Sequence, residues 1–407
     1  MDPVVYYFDN NATTRIAPEA LAAMQPYLSE LYGNPSSIHG FGSQVARKLQ
    51  EARAQVAALV GAADPIEIVF TSCGTEGDNA AIRGILESRP EKRHIVTTQV
   101  EHPAVFSLCQ HLEKKGYRVT WLRVDGEGMP DLNELKESLD DDTALVSIMY
   151  ANNETGAVFP IETIGEIVKA KGIPFHVDAV QAAGKIPLAV RQCPIDLLTI
   201  SAHKFHGPKG VGALYVRRGI TFRPFMVGGH QERSRRGGTE NVAGIVGMGT
   251  AAELALKKMP EDEGRVRALR DELEKSLLES CPDSRVNGHR EKRLPNTLNM
   301  SFKFLEGEAI LVLLDQYGIC ASTGSACTAG SVEPSHVLRA MGVPPDWLQG
   351  AVRFSLSRYT TEEEVRYVNQ TVPSIVQRLS GLSALGKLAK KAEIEDDHNA
   401  DRIGARR

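Results

Sequence analysis

Short apolar runs alternate with longer amphipathic segments through the first two thirds of the chain. The apolar runs that predict buried strands are EIVFT (67–71), HIVTTQ (94–99), ALVSIMY (144–150), PFHVD (174–178), DLLTIS (196–201) and GALYV (212–216). Between several of them, stretches such as AVFSLCQHLEKKG and IETIGEIVKAKG carry apolar residues at three- and four-residue spacing, which predicts helices. This alternation predicts an α/β fold with a mostly parallel sheet covered by helices on both faces.

The pattern changes after about residue 258 of the 407-residue chain. Long charged helical stretches, DEGRVRALRDELEKSLLES and TEEEVRYVNQTVPSIVQRL, surround short strands such as NTLNMSF and AVRFSLS. We therefore expect a large domain over residues 15–258 and a smaller α+β domain formed by residues 1–14 and 259–380. Residues 381–407 are charged and poor in aromatic residues, which is typical of a flexible tail.

Composition and charge narrow the class of protein. Hydrophobic residues make up 42% of the chain, and a formal net charge of -4 gives no basic field for nucleic acid. The chain has no run of eighteen apolar residues, and its first residues, MDPVVYYFDNNATT, lack the pattern of a signal peptide, so we expect a cytoplasmic protein without a membrane partner. The six cysteines include no C-x-x-C pair, so no zinc or iron–sulfur ligand set is predicted from spacing.

Lys204 is the first candidate catalytic residue. It follows a predicted strand in LTISAHKFHGPKGVGALYV, which places it at the carboxyl end of that strand, where open α/β sheets bind ligands. A lysine at such a position can lose a proton and form a Schiff base with a carbonyl group. The alternative is an ordinary solvated surface charge.

A Schiff-base lysine suggests pyridoxal phosphate, which also needs an acid for its ring nitrogen and a cradle for its phosphate. Asp178 ends the strand PFHVD and is a candidate for the acid, with Gln181 in the same loop; a helix cap is the alternative for Asp178. In FTSCGTEGDNAAIRG, Gly74 and Thr75 stand between a strand and a helix, whose free N–H groups favour an anion. Three strand ends thus offer three parts of one cofactor site.

Further polar residues follow other strands. His102 precedes Pro103 in VEHPAVF and is a candidate to stack on the cofactor and to move protons, although a structural histidine is the alternative. Asn152 and Asn153 follow another strand, where turn formation is the alternative. Cys327 lies in STGSACTAGS, a stretch without bulky side chains that would bury the thiol.

The chain resembles the pyridoxal-phosphate-dependent cysteine desulfurases and, within them, the nitrogenase-associated NifS branch. The motifs that carry the resemblance are YFDNNATTR, YGNPSSIHGFG, VEHPAV, ANNETGAVFPI, HVDAVQAAGK, HKFHGPKGVG, GGHQERSRRGGTENV, GSACTAGSVEPSHVLRAMG and VRFSLSRYTTEEE. They follow the family's order and span about residues 5–375. The resemblance implies the type I fold of pyridoxal-phosphate transferases, with a seven-stranded sheet in the large domain, and a homodimer with its active sites near the subunit interface.

The resemblance also implies a role for each residue around the cofactor ring. Lys204 would bond to the cofactor, Asp178 would pair with its ring nitrogen, and His102 would stack on the ring. Gln181 and Asn153 would meet the ring side of the cofactor.

The resemblance also implies which residues would bind the phosphate and the substrate. Thr75, Ser201 and His203 would hold the phosphate, together with Thr239 from the neighbouring subunit. Arg353 would bind the substrate carboxylate through its planar fork, with Asn153 nearby.

Cys327 would carry the sulfur chemistry. The resemblance implies that its thiolate attacks the sulfur of bound L-cysteine, which leaves alanine and a persulfide on Cys327. An iron–sulfur scaffold protein would then accept the sulfur, for nitrogenase metalloclusters or for general iron–sulfur assembly. Cys327 is also the single candidate for an iron–sulfur ligand.

Two departures from the family pattern stand in the phosphate-binding turn, where Cys73 replaces a glycine and Gly77 replaces a serine. We expect Cys73 to be a packed small residue and Gly77 to remove at most a minor hydroxyl contact. The alternatives for the whole chain are a transaminase, a selenocysteine lyase, a housekeeping sulfur donor and a catalytically idle scaffold or sulfur-relay binding protein. A metal hydrolase has no supporting histidine or carboxylate spacing.

Overall fold

The computed structural model describes residues 4–323 and 334–382. Its strands are β1 (Tyr6–Tyr7), β2 (Ile68–Thr71), β3 (His94–Thr98), β4 (Arg118–Leu122), β5 (Thr143–Met149), β6 (Phe175–Asp178), β7 (Leu197–Ser201), β8 (Gly212–Val216), β9 (Ser284–Val286), β10 (Thr297–Phe302), β11 (Ile319–Cys320) and β12 (Ala351–Ser355). Its α-helices are α1 (Pro18–Met24), α2 (Pro26–Ser29), α3 (Gly40–Val60), α4 (Gly74–Ser88), α5 (Pro103–Glu113), α6 (Leu132–Ser138), α7 (Ile161–Lys169), α8 (Gln231–Ser234), α9 (Val242–Ser280), α10 (Gly307–Gln316), α11 (His336–Ala340), α12 (Pro345–Leu348) and α13 (Glu362–Leu382).

A seven-stranded sheet forms the centre of the larger part, in the order β2-β8-β7-β6-β5-β3-β4. All neighbouring pairs are parallel except those of β8, which runs antiparallel to both β2 and β7. The expected mostly parallel sheet and all six predicted strands are confirmed. The sequence pattern missed β4, a partly buried strand at the sheet edge.

Helices cover both faces of this sheet. Along β2, Val69 packs with α4 and α5 in one buried cluster, while its neighbour Phe70 packs with α3, α7 and α9 in another. Leu145 and Val146 of β5 divide between the same two clusters. Because successive strand residues point to opposite faces, a strand covered on both sides needs continuous apolar runs, and these are what the sequence contains.

A second, smaller sheet, β12-β10-β9, lies with α10 and α13 around its own buried cluster, which includes Phe8 and Phe354. The helix α9 serves both clusters, with Met248 in the first and Leu273 in the second. The expected domain boundary at residue 258 therefore falls inside this helix, next to Pro260, and the domain division remains a prediction. Within the described ranges, no helix is long and apolar enough to cross a membrane.

The carboxyl ends of the parallel strands lie at one edge of the central sheet. Asp178 is the last residue of β6, and Ser201 is the last residue of β7. Lys204 follows in a single 3-10 turn, and α4 begins at Gly74 shortly after β2. This edge is where open α/β sheets place their ligands.

Candidate active site

A cavity of about 250 Å³ opens at this edge of the sheet. The residues that line it are Ala12, Cys73, Gly74, Thr75, Asp78, His102, Met149, Ala151, Asn153, Asp178, Val180, Gln181, Ser201, His203 and Lys204. The list contains every residue predicted to bind the cofactor except Thr239. Five separate strand ends therefore converge on one concave site, as the sequence analysis expected of three of them.

Lys204 is anchored by the chain segment that follows β1. Its amine Nζ donates hydrogen bonds to the carbonyl oxygen of Asn11, at 2.6 Å, and to that of Ala12, at 2.8 Å. The same segment is fixed to the 3-10 turn through the backbone N–H of Thr14, which donates to the carbonyl oxygen of His203. The amine is thus held at the wall of the cavity by two carbonyl oxygens.

Asp178 is a buried carboxyl group, 6% exposed, in the same cavity. Its Oδ1 accepts a hydrogen bond from the backbone N–H of Val180 at 2.9 Å. Burial raises the pKa of Asp178 to about 6, although the Val180 N–H and the positive charge of Lys204 act in the opposite direction. A positively charged ring nitrogen beside it would restore the ionised form, so the site fits a pyridinium group.

Another part of the cavity is suited to an anion. Helix α4, 15 residues long, directs its N-terminal N–H groups there from Gly74 and Thr75. The Oγ atom of Ser201 is buried and has no hydrogen-bond partner in the described part of the chain. A Cβ atom on Gly74 would lie 2.8 Å from Cγ2 of Val180, so glycine is required for the close approach of the helix start. An unpartnered buried hydroxyl beside a helix N-terminus is what a phosphate group would satisfy.

The two histidines of the cavity are neutral at pH 7. Burial, with Lys204 nearby, lowers the pKa of both His102 and His203 to about 4. His102 caps α5, and its Nδ1 accepts a hydrogen bond from the backbone N–H of Ala104 at 3.2 Å. The neutral ring therefore carries its proton on Nε2. Nδ1 of His203 lies 3.1 Å from Oγ1 of Thr13.

Arg353 connects β12 of the smaller sheet with the cavity. Its Nη1 donates to the carbonyl oxygen of Asn153 at 2.9 Å, and its Nη2 forms an ion pair with Asp9 at 2.7 Å. Asn153 lines the cavity, whereas Arg353 stands behind it. Three of the five N–H donors of the guanidinium group are not used in these two contacts, which leaves capacity for a carboxylate.

Thr239 stands apart from the cavity within one chain. Thr239 lines a separate cavity of about 140 Å³ with Arg236 and Glu232, so the structure does not bring it to Lys204 within a single protomer. Cys327 lies outside the described residues. Its role as nucleophile and as candidate iron–sulfur ligand stays a prediction.

The expectations for Cys73 and Gly77 need correction. Cys73 is more than a packed small residue, because it lines the cavity and its Sγ accepts the backbone N–H of Glu76 at 3.5 Å. At Gly77, a Cβ atom would lie 2.6 Å from Cγ2 of Thr199 on β7. A serine would therefore do more than add a hydroxyl contact, since its Cβ would force the Thr199 side chain or α4 to shift.

Three residues that the sequence analysis did not single out also belong to this region. Asn11 joins Lys204 to the smaller sheet, Lys185 contacts Gln181, and Asp78 lines the cavity while only 1% exposed. Asn11 and Lys185 occur in quoted motifs, but a motif does not tell which of its residues make contacts. Asp78 lies within an amphipathic helix, where an acid is usually exposed.

The sequence and the fold are similar to those of known proteins along most of the chain. Residues 6–368 match the family described as Aminotransferase class-V. The chain is 62% identical to a cysteine desulfurase of Trichormus azollae over 93% of this chain and 94% of that protein. It is 54% identical to the cysteine desulfurase NifS of Azotobacter vinelandii over 93% and 94% of the two chains.

A solved structure of a NifS-like protein superposes with a TM-score of 0.87, at 42% identity, over 92% of this chain and all of the other. The cavity fits pyridoxal phosphate on independent grounds, because it offers an amine, a buried acid and an unsatisfied anion cradle at three of its walls. The chain therefore belongs to the class-V aminotransferase family and, within it, to the pyridoxal-phosphate-dependent cysteine desulfurases.

Proposed function

We propose that the protein converts L-cysteine to L-alanine and collects the sulfur as a persulfide on Cys327. The observation that carries the proposal is the cavity in which Lys204, Asp178 and His102 meet beside the anion cradle of Ser201. A transaminase would need the same cavity but no thiol. A catalytically idle scaffold would not need to retain the buried acid and the amine together.

Bound pyridoxal phosphate would supply a carbonyl group for the substrate amine and a conjugated ring that accepts electrons from a bond broken at the substrate's Cα. We propose that Asp178 binds the ring nitrogen, that Gln181 and Asn153 meet the ring side, and that His102 stacks on the ring. Thr75, Ser201 and His203 would hold the phosphate, with the start of α4 at Gly74.

The amine of Lys204 would hold the cofactor before the substrate arrives and would carry a proton to and from the substrate's Cα afterwards. Its two carbonyl partners, on Asn11 and Ala12, give the released amine a defined position close to the cavity. The Nε2–H of His102 would be the second proton-carrying group, since that ring is neutral at pH 7.

The sulfur step would take place between two sulfur atoms. The Cys327 thiolate would attack the substrate's sulfur, so that an S–S bond forms while the substrate's C–S bond breaks. The electron pair of the broken bond stays with the carbon framework, which takes up a proton and leaves as alanine. L-cysteine and one enzyme thiol thus give alanine and one enzyme persulfide, with no external oxidant.

The test is turnover of L-cysteine by the wild-type holoenzyme and by Cys327→Ala, with sulfide measured in the presence of a reductant. We expect a yellow wild-type protein that releases alanine and sulfide, and a Cys327→Ala variant that binds the cofactor equally well but loses at least about 10²-fold of the activity. Cys193→Ala is the matched control, because Cys193 is buried outside the cavity. A Cys327→Ala variant with full sulfide release, or persulfide found on Cys73, would overturn the nucleophile assignment.

We further propose a homodimer in which Thr239 of one protomer contacts the phosphate bound in the other. Support comes from the position of Thr239 in a cavity of its own. Co-expression of Lys204→Ala with Thr239→Ala tests this, because a mixed dimer then contains one site with both defects and one intact site. Activity restored to about half of the wild-type value per mixed dimer supports a contact of Thr239 with the phosphate of the other protomer. Activity no greater than that of Thr239→Ala alone contradicts this contact.

An iron–sulfur scaffold protein is the sulfur acceptor that we propose, and nitrogenase metalloclusters are the proposed destination. The 54% identity to NifS of Azotobacter vinelandii supports this branch. Disruption of the gene in a nitrogen-fixing host should reduce nitrogenase activity and leave other iron–sulfur enzymes largely active. An equal loss in both groups would favour a housekeeping sulfur donor.

A further inference from the structure

Lys185 lies beside Gln181 and fixes the orientation of its side-chain amide. The amine Nζ of Lys185 is 2.6 Å from Oε1 of Gln181 and 3.1 Å from Oδ1 of Asn11. An amine has enough N–H donors for both contacts whether it is charged or neutral. Both amides must therefore turn their oxygen atoms towards Lys185.

A second contact imposes the same orientation on Gln181. Its Nε2 donates to the carbonyl oxygen of Asn11 at 2.9 Å, and a carbonyl oxygen can only accept. Gln181 is 5% exposed and lines the cavity. One N–H of its amide is used by Asn11, so the other is available as a donor to a group inside the cavity.

We infer that Lys185 is a positioning residue that holds Gln181 as a hydrogen-bond donor to the ring oxygen of bound pyridoxal phosphate, and thereby lowers the proton affinity of the bound cofactor. The inference rests on the proposed function. A donor at the ring oxygen disfavours a proton on the basic nitrogen that links the cofactor to Lys204.

The neighbours of Lys185 indicate that its influence passes through Gln181. Oδ1 of Asn11 also accepts from Nδ2 of Asn296 at 3.0 Å, and Nδ2 of Asn11 donates to Oγ1 of Thr297 at 2.9 Å. The amide of Asn11 would therefore keep its orientation without Lys185. Gln181 would keep one contact, from its Nε2 to the carbonyl oxygen of Asn11, and would lose the shorter one, between its Oε1 and the amine of Lys185.

The first test is the pH midpoint of the absorption spectrum of the cofactor bound to Lys185→Met, compared with wild-type holoenzyme. We expect the midpoint to rise by about one pH unit, a tenfold gain in proton affinity. Lys185→Arg keeps N–H donors at this position and should stay closer to wild type. Lys169→Met removes a lysine from the exposed side of α7 and is the matched control, with no expected shift.

The second test distinguishes an effect of Lys185 that passes through the amide of Gln181 from a direct effect of Lys185 on the cofactor. In a Gln181→Leu background, Lys185→Met should add little further shift if Lys185 acts through Gln181. A shift that persists in full in that background would overturn the inference. Gln181→Glu provides an independent measurement should Lys185→Met fail to fold, because a carboxylate accepts from Lys185 but cannot donate into the cavity, and its midpoint should also rise.

The outcomes distinguish this inference from the proposed function. A wild-type protein that binds pyridoxal phosphate, with an unchanged midpoint in Lys185→Met, or in Gln181→Glu where Lys185→Met does not fold, would overturn the inference alone. A wild-type protein that binds no pyridoxal phosphate would overturn both.

Discussion

The buried acids and the basic side chains around the cavity are held in different ways. The acidic group comprises Asp78, Glu101 and Asp178, which are 1%, 0% and 6% exposed. Asp78 and Glu101 each have one carboxyl oxygen without a hydrogen-bond partner among the residues that the structure describes. Burial raises the pKa of Glu101 to about 8 and that of Asp178 to about 6.

The basic group comprises Lys185, Lys204 and Arg353. Each of the three donates to at least two oxygen atoms of the chain, on Asn11, Ala12, Gln181, Asn153 and Asp9. Hydrogen bonds at both ends of a polar group fix its position, whereas an acid with an unused acceptor atom retains the capacity to bind a proton or a cationic ligand. The comparison indicates that the basic group sets the geometry of the site and the acidic group sets its charge.

Replacement of Arg353 by lysine should give the largest effect among three tests of this comparison. Lysine keeps the charge but cannot reach both Asn153 and Asp9 as the planar guanidinium does. Charge-assisted hydrogen bonds contribute roughly 1.5–3 kcal/mol each. We expect kcat/KM for L-cysteine to fall by about 10- to 100-fold, mainly through KM, in steady-state measurements of alanine release.

Arg270→Lys is the matched control for this variant. The side chains of Arg270 and Arg353 are both 3% exposed, and Arg270 donates to the carbonyl oxygen of Leu294, away from the cavity. It should lower the thermal stability without changing KM. An unchanged KM in Arg353→Lys would mean that Arg353 only ties β12 to Asp9, and the basic group would then lose its role towards the substrate.

The basic group also marks the limit of what the sequence could predict. The cofactor residues at strand ends, such as Lys204 and Asp178, were predictable because a buried apolar run followed by a polar residue locates the carboxyl end of a strand. The partner of Lys204 was not predictable in this way. It is the backbone carbonyl of Asn11, 193 residues away. Every residue has a backbone carbonyl group, so the amino-acid sequence does not indicate which one will accept this hydrogen bond.

In the fold, too, features set by local sequence were predictable, whereas features set by distant contacts were not. The strands β2 and β7 were predicted because both their faces are buried and most of their residues are apolar. β4 was missed because it lies at the sheet edge, where Arg118 is exposed and the next three residues are partly exposed. The antiparallel direction of β8 depends on its pairing with β2 and β7, which no local pattern contains.

The position of Asp78, one member of the acidic group, depends on close packing at its neighbour Gly77. A Cβ atom at Gly77 would lie 2.6 Å from Cγ2 of Thr199, so Gly77→Ala must either turn the buried Thr199 side chain or move α4 relative to β7. Overpacking of this kind costs about 1–3 kcal/mol. We expect a lower thermal midpoint and weaker binding of the cofactor, measured by thermal unfolding and by titration with pyridoxal phosphate.

Gly264→Ala is the matched control, because Gly264 lies inside α9 and an added Cβ would meet nothing within 4 Å. Alanine there should stabilise the helix by about 0.5–1 kcal/mol. If Gly77→Ala were as stable as wild type, the close contact between α4 and β7 would not be what positions Asp78.

Asp78→Asn should give the smallest effect and tests the charge of the acidic group. Burial, and then the negative charge of Asp178, raise the pKa of Asp78 well above its usual value of about 3.9. At a pH between the usual pKa of an aspartate and the raised pKa of Asp78, the folded protein binds more protons than the unfolded chain. The stability of the wild type therefore falls as the pH rises from about 4. Asparagine does not titrate. The thermal midpoint of Asp78→Asn minus that of wild type should therefore increase by roughly 2–4 °C as the pH rises.

The measurement is thermal unfolding of cofactor-free wild type, Asp78→Asn and Asp141→Asn from pH 4 to pH 8. Asp141 is exposed between α6 and β5, and its variant should differ from wild type by the same amount at every pH. A difference for Asp78→Asn that shrinks with rising pH would mean that the ionised carboxylate is stabilised in the folded protein. Asp78 would then resemble the basic group in being held by partners, and the contrast between acids and bases at this site would fail at that residue.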